Sequence, residues 1–357
     1  AYYHEGLDIL YMSHQHSRKL GINNKLHATL AGGIRRHNKD EEEIDVIIDG
    51  LNLGRGMSFK NVAGNIDMGG CKQTVTMDEL DLDNMEIMGF LGFAIDRCRT
   101  MTGPDMNFPT EMADVENENF SMQYTNGPKY SALGETGKPT AYGVYVTMKQ
   151  AVKFKEGTES LAGKTVCLIG LGAVGWYMGE HLVTEVEKLY VTDLNPARAQ
   201  QFKDAYPDKN IETIPLEGAY FTECDILCPC AIGGVFDDET IPKLNCKYIW
   251  GSANNTLKAS SAEEEIRLAE KLKARDIIFQ VEWFHNTAGV ICGYQEYVLG
   301  KKATYENLLK TIDDVMPAAT YNNLKQAAEL DITPVENCYR NANDVLYGDK
   351  TLADIHF

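Results

Sequence analysis

Positive charge is scarce in this chain: its 357 residues carry 34 Lys and Arg against 52 Asp and Glu, a formal net charge of −18. A protein that holds nucleic acid needs a basic face to neutralise phosphates, and an anionic membrane surface makes the same demand. Neither partner is expected. No apolar run approaches the ~20 residues that span a bilayer. The opening stretch, AYYHEGLDILYMSHQHSRKL, scatters His, Glu, Asp and Arg among its apolar residues and does not read as a secretory leader. Repeats and low-complexity segments are absent as well. The nine cysteines (Cys71, Cys98, Cys167, Cys224, Cys228, Cys230, Cys246, Cys292 and Cys338) are odd in number and dispersed, which fits reduced thiols in a cytoplasmic protein better than a disulfide framework. Their one cluster, Cys224, Cys228 and Cys230, lacks the second pair that a zinc site requires. It reads as a buried strand using Cys as a small apolar residue, and no metal is expected.

What is present is the composition of a soluble globular protein, 44% hydrophobic and 24% charged, in a chain long enough for two domains. Lys60 and Lys72 bracket a segment that ends Gly69-Gly70-Cys71. Paired glycines open backbone turns closed to other residues and let a second group approach closely. A lysine facing a closed cleft behind such a turn loses hydration, and its ammonium pKa falls toward the range of a base. Lys60 follows a helix-like run and suits the holding of an anion.

The patterning predicts a helix over 5–18, a strand over 25–31 and an amphipathic helix over 40–57 that buries Ile44, Ile47, Ile48, Leu51 and Met57. A second long helix is predicted over 80–101. A polar connection punctuated by Pro and Gly then runs from Gly103 to Pro139, a length typical of functional loops. From residue 141 the pattern changes to helix 141–154, strand 165–169, the run Gly170-Leu171-Gly172-Ala173-Val174-Gly175, a helix to about 184, and a strand over 189–192 ending at Asp193. A GxGxxG run between strand and helix, with an acid at the end of the next strand, is the context of a dinucleotide-binding turn. The glycines admit the pyrophosphate to the helix N-terminus. Asp193 would accept hydrogen bonds from the adenosine ribose and repel a 2′-phosphate, favouring NAD over NADP, with Arg198 nearby in sequence as a possible counterweight. Strands over 225–230, 248–251 and 277–281, with helices near Asp238 and over 259–274, extend this into a doubly wound parallel sheet. Helices are predicted over 289–298, 303–315, 318–329 and 334–347. The expected architecture is α/β in two domains separated by a cleft. Residues 1–140 and 141–325 are the expected domains, the second an NAD-binding Rossmann domain.

Assembled, these pieces resemble the glutamate/leucine/phenylalanine/valine dehydrogenase family, and within it the leucine and phenylalanine branch. The resemblance runs from about Gly32 to Gly293. It rests on GGIR at 32–35, RGMSFKN at 55–61, MGGCK at 68–72, PDMN at 104–107, PTAYGVY at 139–145, the GxGxxG run, VTDLN at 191–195, CPCAIGG at 228–234 and GSANN at 251–255. It implies a homo-oligomeric enzyme that oxidatively and reversibly deaminates an L-amino acid to a 2-oxo acid and ammonia, reducing NAD, in which residues 1–140 bind substrate and assemble the oligomer and helices of 326–357 pack back onto them. Lys60 would bind the substrate carboxylate, assisted by main chain at Gly33. Lys72 would be the low-pKa lysine that activates water, and Asp105 would exchange protons with the amine. Thr140 would lie at the nicotinamide. Val174, Asp193, Leu194, Ala231, Ala253 and Asn286 would contact the cofactor, Asn286 lying near the substrate too. Ala31 stands where glutamate-specific members carry a lysine. With Gly103 it would leave room for an apolar or aromatic side chain. Cys71 replaces a third glycine, and Asn286-Thr287-Ala288-Gly289 replaces Asn-Ala-Gly-Gly. Asp114 is a second, weaker candidate acid, and Arg35 and Arg36 are candidate ligands for a substrate anion, with an exposed or paired structural role the alternative for at least one. Two rival readings are a same-fold dehydrogenase of an unusual amino acid or amine, and a catalytically silent NAD-binding sensor.

Overall fold

The computed structural model describes residues 1–17 and 19–354; the expectations that touch Arg18 and residues 355–357 lie outside the described residues. The chain divides into two compact units. The first comprises Ala1–Thr136, Gly289–Lys310 and Val345–Leu352; the second comprises Gly137–Ala288, Thr311–Asp344 and the chain from Ala353.

In the first unit the order is β1 (Tyr2–His4), β2 (Ile9–His16), β3 (Leu30–Ala31), β4 (Ile34–His37), α1 (Glu43–Ala63), β5 (Gly69–Thr76), α2 (Met85–Cys98), β6 (Thr100–Met101) and α3 (Glu111–Asn119). The sheet runs β1-β2-β5-β3-β6, with β4 also paired to β5. β2 is antiparallel to β5, placing His14 opposite Lys72, whereas β4 is parallel to β5, placing Arg35 opposite Thr74. The expected helix over 5–18 is instead β2. Ile9 and Tyr11 are buried while Leu10 and Met12 between and beyond them are not, a period of two that won over the helical spacing of a short apolar run. The expected strand over 25–31 is confined to β3.

α1 exists but turns its other side inward. Ile44, Ile48 and Leu51 are 60%, 48% and 53% exposed, and the buried side carries Val46, Gly50, Gly54 and Phe59. Close approach to the sheet decides this. A Cβ built on Gly50 would lie 2.2 Å from the His14 ring, and one on Gly54 would lie 2.7 Å from the His14 carbonyl oxygen. The helix expected over 80–101 is α2 alone. Asn84 caps it by accepting from the Glu86 and Ile87 amides, and it ends at Arg99, whose φ is 53°.

The second unit contains α4 (Gly137–Glu156), β7 (Thr165–Ile169), α5 (Ala173–Leu182), β8 (Lys188–Thr192), α6 (Pro196–Ala205), β9 (Ile211–Thr213), β10 (Ile226–Pro229), β11 (Tyr248–Ile249), α7 (Ala262–Ala274), β12 (Ile278–Phe279) and α8 (Glu282–His285). Its sheet is parallel throughout, ordered β12-β11-β10-β7-β8-β9. That is the doubly wound order, with the change of direction beside β7. The helix expected near Asp238 is a turn followed by a short 3-10 stretch, because the Asp237 carboxylate accepts from the Glu239 and Thr240 amides and Pro242 follows.

The chain closes with α9 (Ala288–Leu299), α10 (Tyr305–Glu329) and α11 (Pro334–Leu346). α10 runs through Pro317 and joins the two helices predicted over 303–315 and 318–329. The expected boundaries need correction. Residues 289–310 belong to the first unit, where Glu296 accepts from the Asn126 and Leu133 amides and Tyr297 Oη from the Ala28 amide, the latter at 2.8 Å. Nearly all of α11 belongs to the second. There Asn337 donates to Asn323 at 2.9 Å, Asn323 to Gln280 at 2.8 Å, and Tyr339 to Glu265 at 2.6 Å. Only residues 345–352 return to the first unit. No helix among the described residues is long and apolar enough to cross a membrane.

Candidate active site

The first unit builds a charged cluster from backbone ladders. Gly32 donates to Met101, Ile34 to Gly103 and Asp105 to Ile34, each at 3.0–3.1 Å, so the 101–105 segment runs alongside the Gly32-Gly33 step. This places Asp105 in salt-bridge contact with Lys72, which is buried on β5. Gly33 lies against both. A Cβ built there would sit 3.2 Å from Asp105 Cβ and 3.4 Å from Lys72 Nζ, so both side chains lie against a glycine. Gln73, in the amide orientation that satisfies its surroundings, donates to the Gly32 and Gly33 carbonyls at 2.9 Å. Burial alone would raise the Asp105 carboxyl. The Lys72 charge and hydrogen bond, then Arg35 and the Met106 amide, outweigh burial and hold its pKa below the ordinary carboxylate value.

The other predicted residues of this unit are placed as follows. Lys60 is half-buried in the last turn of α1, two residues beyond Ser58, whose hydroxyl accepts from the Gly70 amide. Ala31 is fully buried, in register with Gly70 and Met101. Gly103 is half-buried, and a Cβ there would lie 3.3 Å from the Thr125 carbonyl oxygen. Asp114 accepts from the Lys129 and Tyr130 amides at 2.9 Å and organises that loop, while Asp105 meets Lys72. Arg36 is spent on the carbonyls of Asn107, Met77 and Asp78. Cys71 is fully buried, its thiol pushed up to about 12 by burial. Its carbonyl oxygen would lie 1.7 Å from a Cβ on Gly32. Three further residues were not picked out from sequence: Asp49, which pairs with Arg35; His37, which approaches Asp49; and His14, hydrogen-bonded to Thr74 at 2.8 Å.

The second unit carries the GxGxxG turn, Gly170 to Gly175, which leads from β7 into α5. Gly170 has φ 95°, a conformation that excludes side chains, and a Cβ on Gly175 would lie 1.9 Å from the Gly170 carbonyl oxygen. At Gly172, by contrast, a Cβ would meet nothing within 4 Å, and no side chain caps α5, which starts at Ala173 and Val174. Open space above uncapped helix N–H groups fits a pyrophosphate. Asp193 accepts from the Leu171 amide at 2.7 Å and the Asn195 amide at 2.9 Å, leaving lone pairs on both oxygens for ribose hydroxyls. Leu194 beside it is 86% exposed, an apolar face at the same rim. Ala231 touches the turn at Gly170. Thr140 stands in the first turn of α4, which packs on α5 where Gly137 meets Ala173. Ala253 donates to the Pro229 carbonyl, and Asn286 donates to the Ser252 carbonyl and the Asn254 side chain at 3.1 and 2.8 Å. The Asn286 Oδ1 is buried without a hydrogen-bond partner among the described residues. The loops after β10 and β11 line an open cavity of about 570 Å³ that includes Gly233, Gly234, Asn254 and Asn255. These residues fit a nicotinamide dinucleotide. Among the described residues no group of three His, Cys, Asp or Glu is placed to hold a metal, and all nine cysteines are free.

Residues 19–128 match the family described as Glu/Leu/Phe/Val dehydrogenase, dimerisation domain, and residues 187–348 match Glutamate/Leucine/Phenylalanine/Valine dehydrogenase. The chain belongs to this family. It is 35% identical to the leucine dehydrogenase of Thermoactinomyces intermedius over 79% of this chain and 77% of that one. It is 30% identical to the phenylalanine dehydrogenase of Lysinibacillus sphaericus over 90% and 82%. In fold it is similar to L-tryptophan dehydrogenase from Nostoc punctiforme, with a TM-score of 0.77 at 23% identity, covering 97% of this chain and 94% of the other. Membership of the family makes the chain an oxidoreductase of the amino-acid dehydrogenase type.

Proposed function

We propose that this dehydrogenase uses NAD to deaminate an apolar or aromatic L-amino acid reversibly to its 2-oxo acid and ammonia, as a cytoplasmic homo-oligomer. The observation that carries the reading is the Lys72–Asp105 pair lying against Gly33. A catalytically silent sensor has no use for a buried lysine matched to a half-buried carboxylate beside a glycine. Reduced cysteines support the compartment, and the matched dimerisation domain supports assembly.

In the proposed mechanism the Lys60 ammonium and main chain at Gly33 hold the substrate carboxylate. Asp105, kept ionised by its neighbours, takes the proton leaving the substrate ammonium. Gly170, Gly172, Gly175, Asp193 and the Asn286 amide would hold NAD, which would supply the hydride acceptor. Lys72, having released its own proton to solvent when substrate binds, takes a proton from the water that adds to the resulting imine carbon. Asp105 returns a proton to the carbinolamine nitrogen and takes up the hydroxyl proton as the C–N bond breaks, and ammonia and the 2-oxo acid leave. Contact between Lys72 and Asp105 lets one proton pass between them, so each step starts from the right charge. Neither Ala31 nor Gly103 offers a cation to a side-chain carboxylate, and the named relatives act on leucine and phenylalanine. Asp193 disfavours a 2′-phosphate, and the Arg198 Nε is tied to the Leu171 carbonyl.

Reductive amination of a panel of 2-oxo acids with ammonia and NADH tests this. Branched aliphatic and arylpyruvate substrates should turn over well ahead of 2-oxoglutarate, and K72A should lose about 10²–10⁴-fold in kcat. Preference for 2-oxoglutarate, or undiminished turnover in K72A, overturns the reading.

A further inference from the structure

Asp105 has a second cation besides Lys72. Arg35 Nη2 lies 3.4 Å from the same Asp105 Oδ2 that Lys72 contacts. The other arm of the guanidinium is fixed, since Nη1 donates to both oxygens of Asp49, at 3.0 and 2.9 Å. Asp49 in turn lies 3.4 Å from His37 Nε2, and His37 Nδ1 is 2.8 Å from Glu41. The chain of charges thus runs from α1 across β4 to the catalytic pair. Resting on the mechanism above, we infer that Arg35, braced by Asp49, is a positioning residue that keeps Asp105 ionised and aimed while Lys72 exchanges its proton.

The argument turns on the difference between the two cations. Lys72 is charged in only part of the cycle. Whenever it is neutral, Asp105 loses its main partner, and a half-buried carboxylate without a cation is pushed toward the protonated form. A guanidinium does not deprotonate in proteins, so Arg35 supplies the same charge at every step. Its planar fork, gripped by Asp49, also fixes the direction from which that charge acts. Asp49 offsets part of the charge and thereby sets how strongly Asp105 is held. The ionisable groups that face this cluster are Lys72 on β5, His14 on β2, Arg35 and His37 on β4, Asp49 on α1, and Glu41 just before α1.

The test is the pH profile of kcat/KM for oxidative deamination in full-length R35Q, R35K and D49N. In R35Q the ascending limb moves up by about one pH unit, because removing a cation makes each proton of the pair harder to release. Its kcat near neutrality falls about tenfold, KM changes little, and NAD affinity stays at the wild-type value. In D49N, whose amide oxygen still accepts from Arg35, the limb moves down, because Arg35 then presents its full charge to Asp105. R35K returns the limb toward wild type without restoring kcat, since lysine supplies the charge but not the fork. A merely structural role would not move the limb in opposite directions in R35Q and D49N. An unmoved limb in both variants, or a shift of the same sign, overturns the inference. Should R35Q fail to fold, the sign of the D49N shift decides alone. Wild-type turnover in K72A and D105N would instead mean that the catalytic reading itself has failed.

Discussion

Glu116, in α3, is fully buried, and neither carboxyl oxygen has a hydrogen-bond partner among the described residues. One of those oxygens lies 2.7 Å from where a Cβ on Gly92 of α2 would sit, so the group is enclosed by helix and has no room to move. Burial, with the Asp96 charge second, pushes its pKa up to about 9 from an ordinary 4.5. A raised folded-state pKa contributes nothing adverse below pH 4.5, where both states hold the proton. Between 4.5 and 9 the unfolded chain ionises and the folded one does not, so stability falls by about 1.4 kcal/mol per pH unit. Three units above 4.5, near pH 7.5, the loss is about 4 kcal/mol as an upper bound. Replacing Glu116 by Gln keeps the shape and removes the ionisation. Thermal unfolding of wild type and E116Q should therefore give similar midpoints at pH 4.5 and diverge steadily above it. By pH 7.5 E116Q should unfold higher, by on the order of 10 °C in the transition of the first unit. Parallel midpoint curves across pH 4.5–8 would show that Glu116 is ionised in the fold and refute the reasoning.

Two more outcomes follow from the nucleotide-binding turn. D193N should weaken NAD binding by about 10–100-fold, the value of a charge-assisted hydrogen bond, and narrow the preference over NADP; unchanged NADH affinity by fluorescence titration would remove Asp193 from the site. G175A drives a methyl to 1.9 Å from the Gly170 carbonyl oxygen, so it should abolish measurable NAD binding and lower the unfolding midpoint of the second unit, costing about 1–3 kcal/mol. An alanine variant that binds NAD normally would show that the turn can open without loss.

How much of this was legible in sequence varies with how local each cause is. The nucleotide-binding turn was plain because strand, glycines, helix and distal acid occupy one short βαβ stretch. Asp105 was preferred to Asp114 on the local motif; in the structure Asp105 meets Lys72, and Asp114 accepts from loop amides. Arg35 could be read only as a candidate anion ligand, because Asp49 reaches it from α1, fourteen residues away, and no local spacing encodes that pair. The buried side of α1 was misread for a related reason. Counting apolar residues picked out Ile44, Ile48 and Leu51, while contact with the sheet required Gly50 and Gly54, residues that score as nothing in an amphipathic pattern. The β2 segment failed because Leu7, Ile9, Leu10 and Tyr11 satisfy a helical and an alternating period equally until the sheet exists.

The chain passes between the two units at 136/137, 288/289, 310/311, 344/345 and 352/353. During synthesis this has a consequence in time. The Asn126 amide waits for Glu296, 170 residues downstream, and at ribosomal speed that is roughly 10–30 s in which the first unit cannot close. Over that interval the Asn126, Leu133 and Ala28 amides lack the acceptors that α9 brings. The second unit, for its part, lacks the Asn323 amide that donates to Gln280 until α10 emerges, and the Asn337 amide that donates to Asn323 until α11 does. Neither unit can be cut out as a contiguous cassette, so a change of cofactor or substrate module in this protein would have to be spliced residue by residue within the intact chain.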